Sequence, residues 1–292
     1  MTQLRKSYPK GKANLPMTTA QEAATYLLNV AGVTLIQLFA LGGPGLLLIA
    51  LLSWLSGYVG LFASRAFGRS TYYFLFGWFG TLIHEIAHAV AALLFGHQIA
   101  SFYGFTLNPN AKVLGSVRTS FPAGNLFKYI GLFFFGIAPV VFGPLVIYLA
   151  LYFLFHSQMP EMWRAIDRRN TIYGPGVGNI LSAGLAFLGF VFRPSHLLDW
   201  RFYLFLYIAF SVGSSIRLST ADVNNAKLGC LPMIVLLFLF NTVLLSLGSA
   251  GSATFAWLTQ YYTFLYILLC FVILLDMLVI AILWLPAMVR SA

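Results

Sequence analysis

Residues 72–95 read Tyr72-Tyr73-Phe74-Leu75-Phe76-Gly77-Trp78-Phe79-Gly80-Thr81-Leu82-Ile83-His84-Glu85-Ile86-Ala87-His88-Ala89-Val90-Ala91-Ala92-Leu93-Leu94-Phe95. The run is apolar apart from a few positions and lies between Arg69 and His97. Crossing a bilayer takes roughly 20 apolar residues in a helix, so the stretch predicts a transmembrane helix over 71–95 that ends near Gly96. His84, Glu85 and His88 are the exception to its apolarity. Ionisable side chains at that depth are expensive and mark functional sites.

The rest of the chain agrees with a membrane setting. Of 292 residues, 60% are hydrophobic and only 8% charged, against about a quarter charged in a soluble domain. No polar stretch is long enough to form a separate soluble domain, which predicts an all-α polytopic membrane protein embedded in a lipid bilayer. The net charge of +10 is spread over short connecting loops, as the positive-inside rule expects, and does not point to nucleic acid. Cys230 and Cys270 both fall in apolar spans, so neither a disulfide framework nor a CxxC metal knuckle is expected. Nothing in the sequence bears on oligomeric state.

Three regions follow from the patterning. Residues 1–23 are a polar, basic tail expected on the cytosolic side, without the short apolar core and cleavage site of a signal peptide. Thr19-Ala20-Gln21-Glu22 has the form of a capping box at the start of a helix. Residues 24–67 are too long for one span, and Gly42-Gly43-Pro44-Gly45 offers a break. That predicts a helical hairpin, with a single kinked helix as the alternative. Residues 68–292 form the remaining core.

Within the core, 99–107, the turn Asn108-Pro109-Asn110 and 112–121 predict a short β-hairpin. Further spans are expected over 126–155, 202–216, 228–247 and 261–285, with 179–192 apolar but short. The total is six to eight membrane segments. With an inside N-terminus and a first hairpin, Arg65, Arg69 and the 164–169 basic cluster fall inside and the β-hairpin outside. The glycine-rich 173–178 stretch lacks the preceding strand, Lys and Ser/Thr of a phosphate loop; it reads as a connector.

His84 and His88 are i and i+4, about 40° apart on one helix face. That spacing suits two ligands of a tetrahedral Zn2+. Glu85 stands beside them, where it can take a proton from water that zinc has acidified towards a pKa of about 7. The same carboxyl can then pass the proton to a leaving amine. Two packing histidines and a neutral buried Glu would be the plain alternative, at a cost of several kcal/mol without a ligand.

A catalytic zinc normally has three protein ligands. A third His six residues after the second is excluded, because position 94 is Leu. His97 lies about 180° around the helix from His88. The only later glutamate, Glu161, is in a basic loop. That leaves Asp167, Asp199, Asp222 and Asp276. Asp167 lies among arginines and suits a loop ion pair. Asp199 and Asp222 stand at helix starts, where capping explains each. Asp276 is mid-span, and on depth alone it leads.

The 79–88 segment with Leu94-Phe95-Gly96-His97 resembles the site-2 protease family of intramembrane zinc metalloproteases. More narrowly, it is similar to a little-characterised bacterial branch of that family. There a "GT-x-x-HE-x-x-H" helix is followed by "FGH-x-I", "LG-x-V", a span opening "G-x-x-x-x-GIAP" and a later "S-x-x-D". The matching residues are Phe95-Gly96-His97-Gln98-Ile99, Leu114-Gly115-Ser116-Val117, Gly131 through Gly136-Ile137-Ala138-Pro139, and Ser219-Thr220-Ala221-Asp222. The resemblance spans 72–230. The "D-G" motif of better-known members is absent: Trp200 follows Asp199 and Val223 follows Asp222.

The resemblance implies Asp222 as third ligand, ahead of Asp276 and then Asp199. It implies a bacterial inner-membrane location and a membrane-protein substrate. The β-hairpin could hold an unwound substrate segment by strand addition, or be an ordinary surface hairpin. The expected function is an intramembrane zinc endopeptidase with His84, His88 and an Asp on the metal and Glu85 as base. The alternative is a non-catalytic zinc-binding membrane scaffold or transporter. Serine and aspartyl intramembrane chemistries are disfavoured, since no Gly-x-Ser-Gly or Gly-x-Gly-Asp segment occurs.

Overall fold

The 72–95 run is helical through Leu94 in the computed structural model, and its neighbours are built the same way. The backbone is described for residues 19–289 except 107, 109–110, 112, 121–124 and 174–176, and the side chains of 40–41, 167–173, 177–180, 249–262 and 289 lie outside the description. In chain order the helices are α1 (Thr19–Phe67), α2 (Arg69–Tyr72), a π-helical turn (Tyr73–Gly77) and α3 (Trp78–Leu94). Two strands follow, β1 (Gln98–Tyr103) and β2 (Ser116–Ser120). Then come α4 (Leu126–Leu154), α5 (Met159–Tyr173), α6 (Val177–Val191), α7 (Pro194–Leu197), α8 (Trp200–Gly213), α9 (Thr220–Ser246) and α10 (Ser249–Val289).

Among the described residues, five helices have the length and apolarity to cross a membrane: Thr19–Phe67, Arg69–Leu94, Leu126–Leu154, Thr220–Ser246 and Thr263–Met288. The chain is therefore a multi-pass membrane protein. Leu28, Phe39, Leu47 and Phe153 are among many large apolar side chains exposed on its outside, a surface suited to lipid. The expected six to eight segments are too many, for two physical reasons.

First, the helical hairpin expected over 24–67 does not form. α1 is one continuous helix of 49 residues with Pro44 inside it. Proline is tolerated in membrane helices because neighbouring groups satisfy what it frees. The glycines make no turn: Gly42 and Gly43 face open space, and a Cβ on Gly45 would make an ordinary 3.5 Å contact with the Tyr266 ring of α10. The sidedness inferred from that hairpin loses its premise with it.

Second, 202–216 is not a span. α8 has 14 residues, too short to cross alone. It and α9 run in the same sense, both antiparallel to α4. Phe205 faces Phe155, Val212 and Ile216 face Gly143, and Asp222 and Ala226 face Gly136. The two helices thus make one interrupted rod, with irregular backbone over 214–219. Residues 181–191, the described side of the short apolar helix, also fall below spanning length.

The β-hairpin is present as a short two-stranded antiparallel pair, with Gln98 opposite Ser120 and Tyr103 opposite Ser116. An irregularity falls between Ile99 and Ser101. The Thr106 N–H donates to the Leu114 carbonyl at 2.8 Å and extends the pairing; the expected Asn-Pro-Asn turn lies largely outside the described residues. The main apolar core gathers Leu52, Ile147, Leu151, Phe187, Phe205 and Phe271, so it joins α1, α4, α6, α8 and α10. Outside the membrane spans, Arg193 makes a double hydrogen bond to Glu161, both at 2.9 Å. Its guanidinium holds the Glu161 carboxyl below the usual range.

Candidate metal centre

The centre is built where α3, α4 and the α8–α9 interruption meet. α3 carries His84, Glu85 and His88. Gly80, one turn before His84, lets α8 approach: a Cβ there would collide with the Ser211 carbonyl and the Ser215 hydroxyl. The π-helical turn reinforces the contact, since Tyr207 and Ser211 of α8 donate to the Leu75 and Phe76 carbonyls.

Each histidine is oriented by a main-chain carbonyl that its own helix cannot use. His88 Nδ1–H donates to the Phe135 carbonyl at 2.8 Å. In an α-helix that carbonyl would accept from residue 139, but position 139 is proline and has no N–H. His84 Nδ1–H donates to the Ser215 carbonyl at 2.8 Å. The N–H four residues on, Ser219, is instead given to Asp222 Oδ2 at 2.7 Å. Buried carbonyls need partners, and both here are satisfied by imidazole. Such carbonyl contacts commonly orient metal-binding histidines.

With Nδ1 of both rings donating, the two Nε2 atoms present lone pairs. They face each other at 3.2 Å, an unfavourable approach unless a cation lies between them. Asp222 Oδ1 stands 3.2 Å from His88 Nε2, and Oδ2 stands 4.0 Å from His84 Nε2. Ligand atoms of the three residues all lie within 4.8 Å of one another. A tetrahedral zinc with bonds of about 2.0–2.1 Å requires donor separations of ~3.3 Å, so the cluster has the geometry typical of zinc coordination. His88, Asp222 and Glu85 are buried, and the Phe135 ring lies 4.6 Å from that of His88.

Asp222 has two tasks. Ser219 and Asp222 form a complete capping box at the start of α9, and the same carboxylate faces the histidine pair. Gly136 of α4 makes room for it: a Cβ there would collide with the Asp222 carbonyl and Ala226 N. The interruption between α8 and α9 thus brings both the Ser215 carbonyl and the Asp222 carboxylate to the level of His84. Irregular backbone at membrane depth is stable only inside protein or beside a cavity, and here it has both settings.

The cavity measures about 650 Å³. It reaches His84 and Glu85, and its lining includes the hydroxyl-bearing residues Ser56, Thr81, Ser214, Ser215, Ser219 and Thr220. His88 and Asp222 are not on its wall. Among the described residues, this cavity therefore approaches the cluster from the His84–Glu85 side. Ala111, Val113, Leu114 and Gly115 from the β-hairpin connection close part of the opening. Gly115 lies so near that a Cβ would be 2.7 Å from Glu85 Cγ.

The other candidates lie elsewhere. Asp276 is fully buried and accepts from the Ser56 hydroxyl at 3.1 Å. Asp199 caps α8 and accepts from Arg201 N–H at 2.9 Å. Glu161 pairs with Arg193. His97 is buried, and its Nε2–H donates to the Lys128 carbonyl at 2.9 Å. The side chain of Asp167 is outside the described residues. Phe135, Pro139, Gly80 and Ser215 were not singled out from the sequence as parts of the site. Two of them carry a signal in the sequence: Gly80 stands in the glycine position of the "GT-x-x-HE-x-x-H" pattern, and Pro139, within a span, frees the carbonyl four residues earlier.

That carbonyl can be tested. Pro139→Ala supplies an N–H that competes for the Phe135 carbonyl and loosens His88. Removing such a supporting contact costs about 10- to 100-fold in metal affinity. Chelator competition on the purified variant is expected to show a loss in that range, with helical content unchanged.

The whole arrangement resembles a zinc-protease active site: His84-Glu85-x-x-His88 on one membrane helix, with a distant aspartate. No protein-family model, curated protein or solved structure matches the chain.

Proposed function

We propose that this protein is an intramembrane zinc endopeptidase that hydrolyses peptide bonds in membrane-embedded or membrane-adjacent protein segments. The observation that carries the reading is the three-donor cluster at mid-helix depth, open on one side to a hydroxyl-lined cavity on which Glu85 also stands.

His84 and His88 through Nε2 and Asp222 through its carboxylate would hold the metal. Bound zinc supplies a Lewis acid that lowers the pKa of water and polarises the scissile carbonyl. Glu85 accepts the proton of the attacking water and returns it to the amine that leaves. The Phe135 and Ser215 carbonyls keep both imidazoles in the tautomer that presents Nε2. The buried wall behind His88 and Asp222 excludes water from that side, which confines attack to the cavity. A helical substrate must unwind before its carbonyls are accessible, and the β1–β2 pair, whose connection lines the cavity, supports strand addition as the means.

The direct test uses the full chain in lipid nanodiscs. Metal analysis is expected to find zinc stoichiometric with protein, and a panel of labelled transmembrane peptides is expected to yield fragments. A chelator should abolish cleavage and added zinc restore it. Zinc without cleavage of any panel member would favour the scaffold or transporter reading, and protein that takes up no zinc would end both.

A further inference from the structure

Two arginines share the cavity with His84 and Glu85. Arg69 and Arg217 both line it, and both are exposed to it. Among the described residues neither forms an ion pair. Of the nearby carboxylates, Asp222 faces the histidine pair and Glu161 is paired with Arg193. Asp276 is engaged by Ser56. Arg69 lies over the Tyr73 ring at 5.6 Å, a contact that stabilises a cation without engaging its hydrogen-bond donors.

Arg217 is the more telling of the two. It stands in the α8–α9 interruption, two residues after the carbonyl that orients His84, and so at the depth of the cluster. A guanidinium at that depth is costly and normally pairs with an acid or serves a path or ligand. The unpaired state is tolerable here because the cavity admits water. Five N–H donors in a planar fork match an oxyanion.

We propose that Arg217, with Arg69 further along the same wall, forms a subsite that binds a carboxylate of the peptide substrate next to the bond presented to Glu85. The inference rests on the peptidase reading and adds to it a substrate class: segments bearing an acidic side chain or a free C-terminus at the cleavage depth. A lipid phosphate is the less suitable occupant, because headgroups lie at the membrane surface and Arg217 lies level with mid-helix His84. The subsite makes a peptide carboxylate a recognition element that offsets its own cost of entering the membrane.

The test reads binding, so it does not depend on turnover. Full-length protein in nanodiscs is titrated with fluorescent apolar twenty-residue-class peptides. One pair differs by Asp against Asn at a central position, and a second pair by C-terminal acid against amide. Charge-assisted hydrogen bonds predict about 10- to 100-fold tighter binding of one acidic member, and which pair discriminates names the source of the carboxylate. Arg217→Gln should remove the discrimination, and Arg217→Lys should restore only part of it. The preference should persist after zinc is stripped. Equal binding of acid and amide members by the wild-type protein overturns the proposal and needs no variant. So does discrimination that survives Arg217→Gln but vanishes without zinc, which would put the carboxylate on the metal. An Arg217-dependent uptake of phosphatidylglycerol without peptide discrimination would assign the subsite to lipid and overturn it too. Failure of the peptidase reading shows separately, as zinc-loaded protein that binds peptides and never cuts them.

Discussion

Glu85→Gln is expected to retain its full complement of zinc and to lose peptide cleavage by about 10²–10⁴-fold, the usual contribution of a positioned acid–base group. The substitution is nearly isosteric, so the close approach of the side chain to Gly115 is preserved. What it removes is the proton acceptor beside the attacking water. The loss should appear in kcat rather than in KM, because Glu85 acts on the reacting atoms and not on substrate affinity. Single-turnover cleavage of a labelled transmembrane peptide, with parallel metal analysis, checks both halves. Wild-type rates in the glutamine variant would remove Glu85 from the mechanism.

The second large effect is expected at Asp222. Asp222→Ala should reduce bound zinc to a trace and abolish cleavage with it, whereas Asp276→Ala and Asp199→Ala should bind zinc as the wild type does. The capping box complicates the alanine variant, since losing a cap costs about 0.5–2 kcal/mol. Asp222→Asn separates the two tasks. Its amide oxygen can still accept the Ser219 N–H, but it no longer supplies a negative charge to the metal. Ser219→Ala does the reverse, removing the hydroxyl that accepts the Asp222 N–H at 3.2 Å while leaving the carboxylate. Zinc loss in Asp222→Asn, with an unfolding midpoint equal to that of the zinc-stripped wild type, and zinc retention in Ser219→Ala, is the expected pattern. Equal zinc content in all of these variants would take Asp222 out of the ligand set.

The part of the site on one helix was legible from spacing alone. His84 and His88 share a face at any i, i+4 separation in a helix, and the structure adds only which nitrogens point inward. The aspartate was not legible in that way, because its distance from the histidines depends on how α4 and α9 pack. Asp276, mid-span, satisfied the depth argument better than Asp222, but it is spent on Ser56. The capping motif around Asp222 explained that residue without any metal, and one carboxylate turns out to face both ways. Arg217 carried no motif at all. Its placement beside His84 follows from a break in a helix that no local residue pattern announced.

The errors in the fold have a common origin. Apolar length and glycine content describe a segment by its own composition, whereas its fold also answers to its neighbours. Gly42-Gly43-Pro44-Gly45 has the residues of a turn, but in lipid a turn exposes backbone groups that a helix satisfies, and α1 runs through. Residues 202–216 have the composition of a span, yet α8 stops at Gly213, and the segment that follows gives its Ser215 carbonyl to His84 of α3. A half-length and a full-length membrane helix look alike in hydropathy. What distinguishes them is the partner that shelters the exposed end.

The position of His84 along its helix also sets a measure of length. It stands about ten residues, or about 15 Å at 1.5 Å each, from the Leu94 end of the Arg69–Leu94 span, and somewhat farther from the Arg69 end. On the proposed reading, a substrate lying alongside would be divided near the middle of its own crossing. Neither fragment would then keep the roughly 20 apolar residues that hold a helix across a bilayer. A single hydrolysis at that depth would convert one anchored chain into two unanchored ones, freeing material on both faces of the membrane without any further cut.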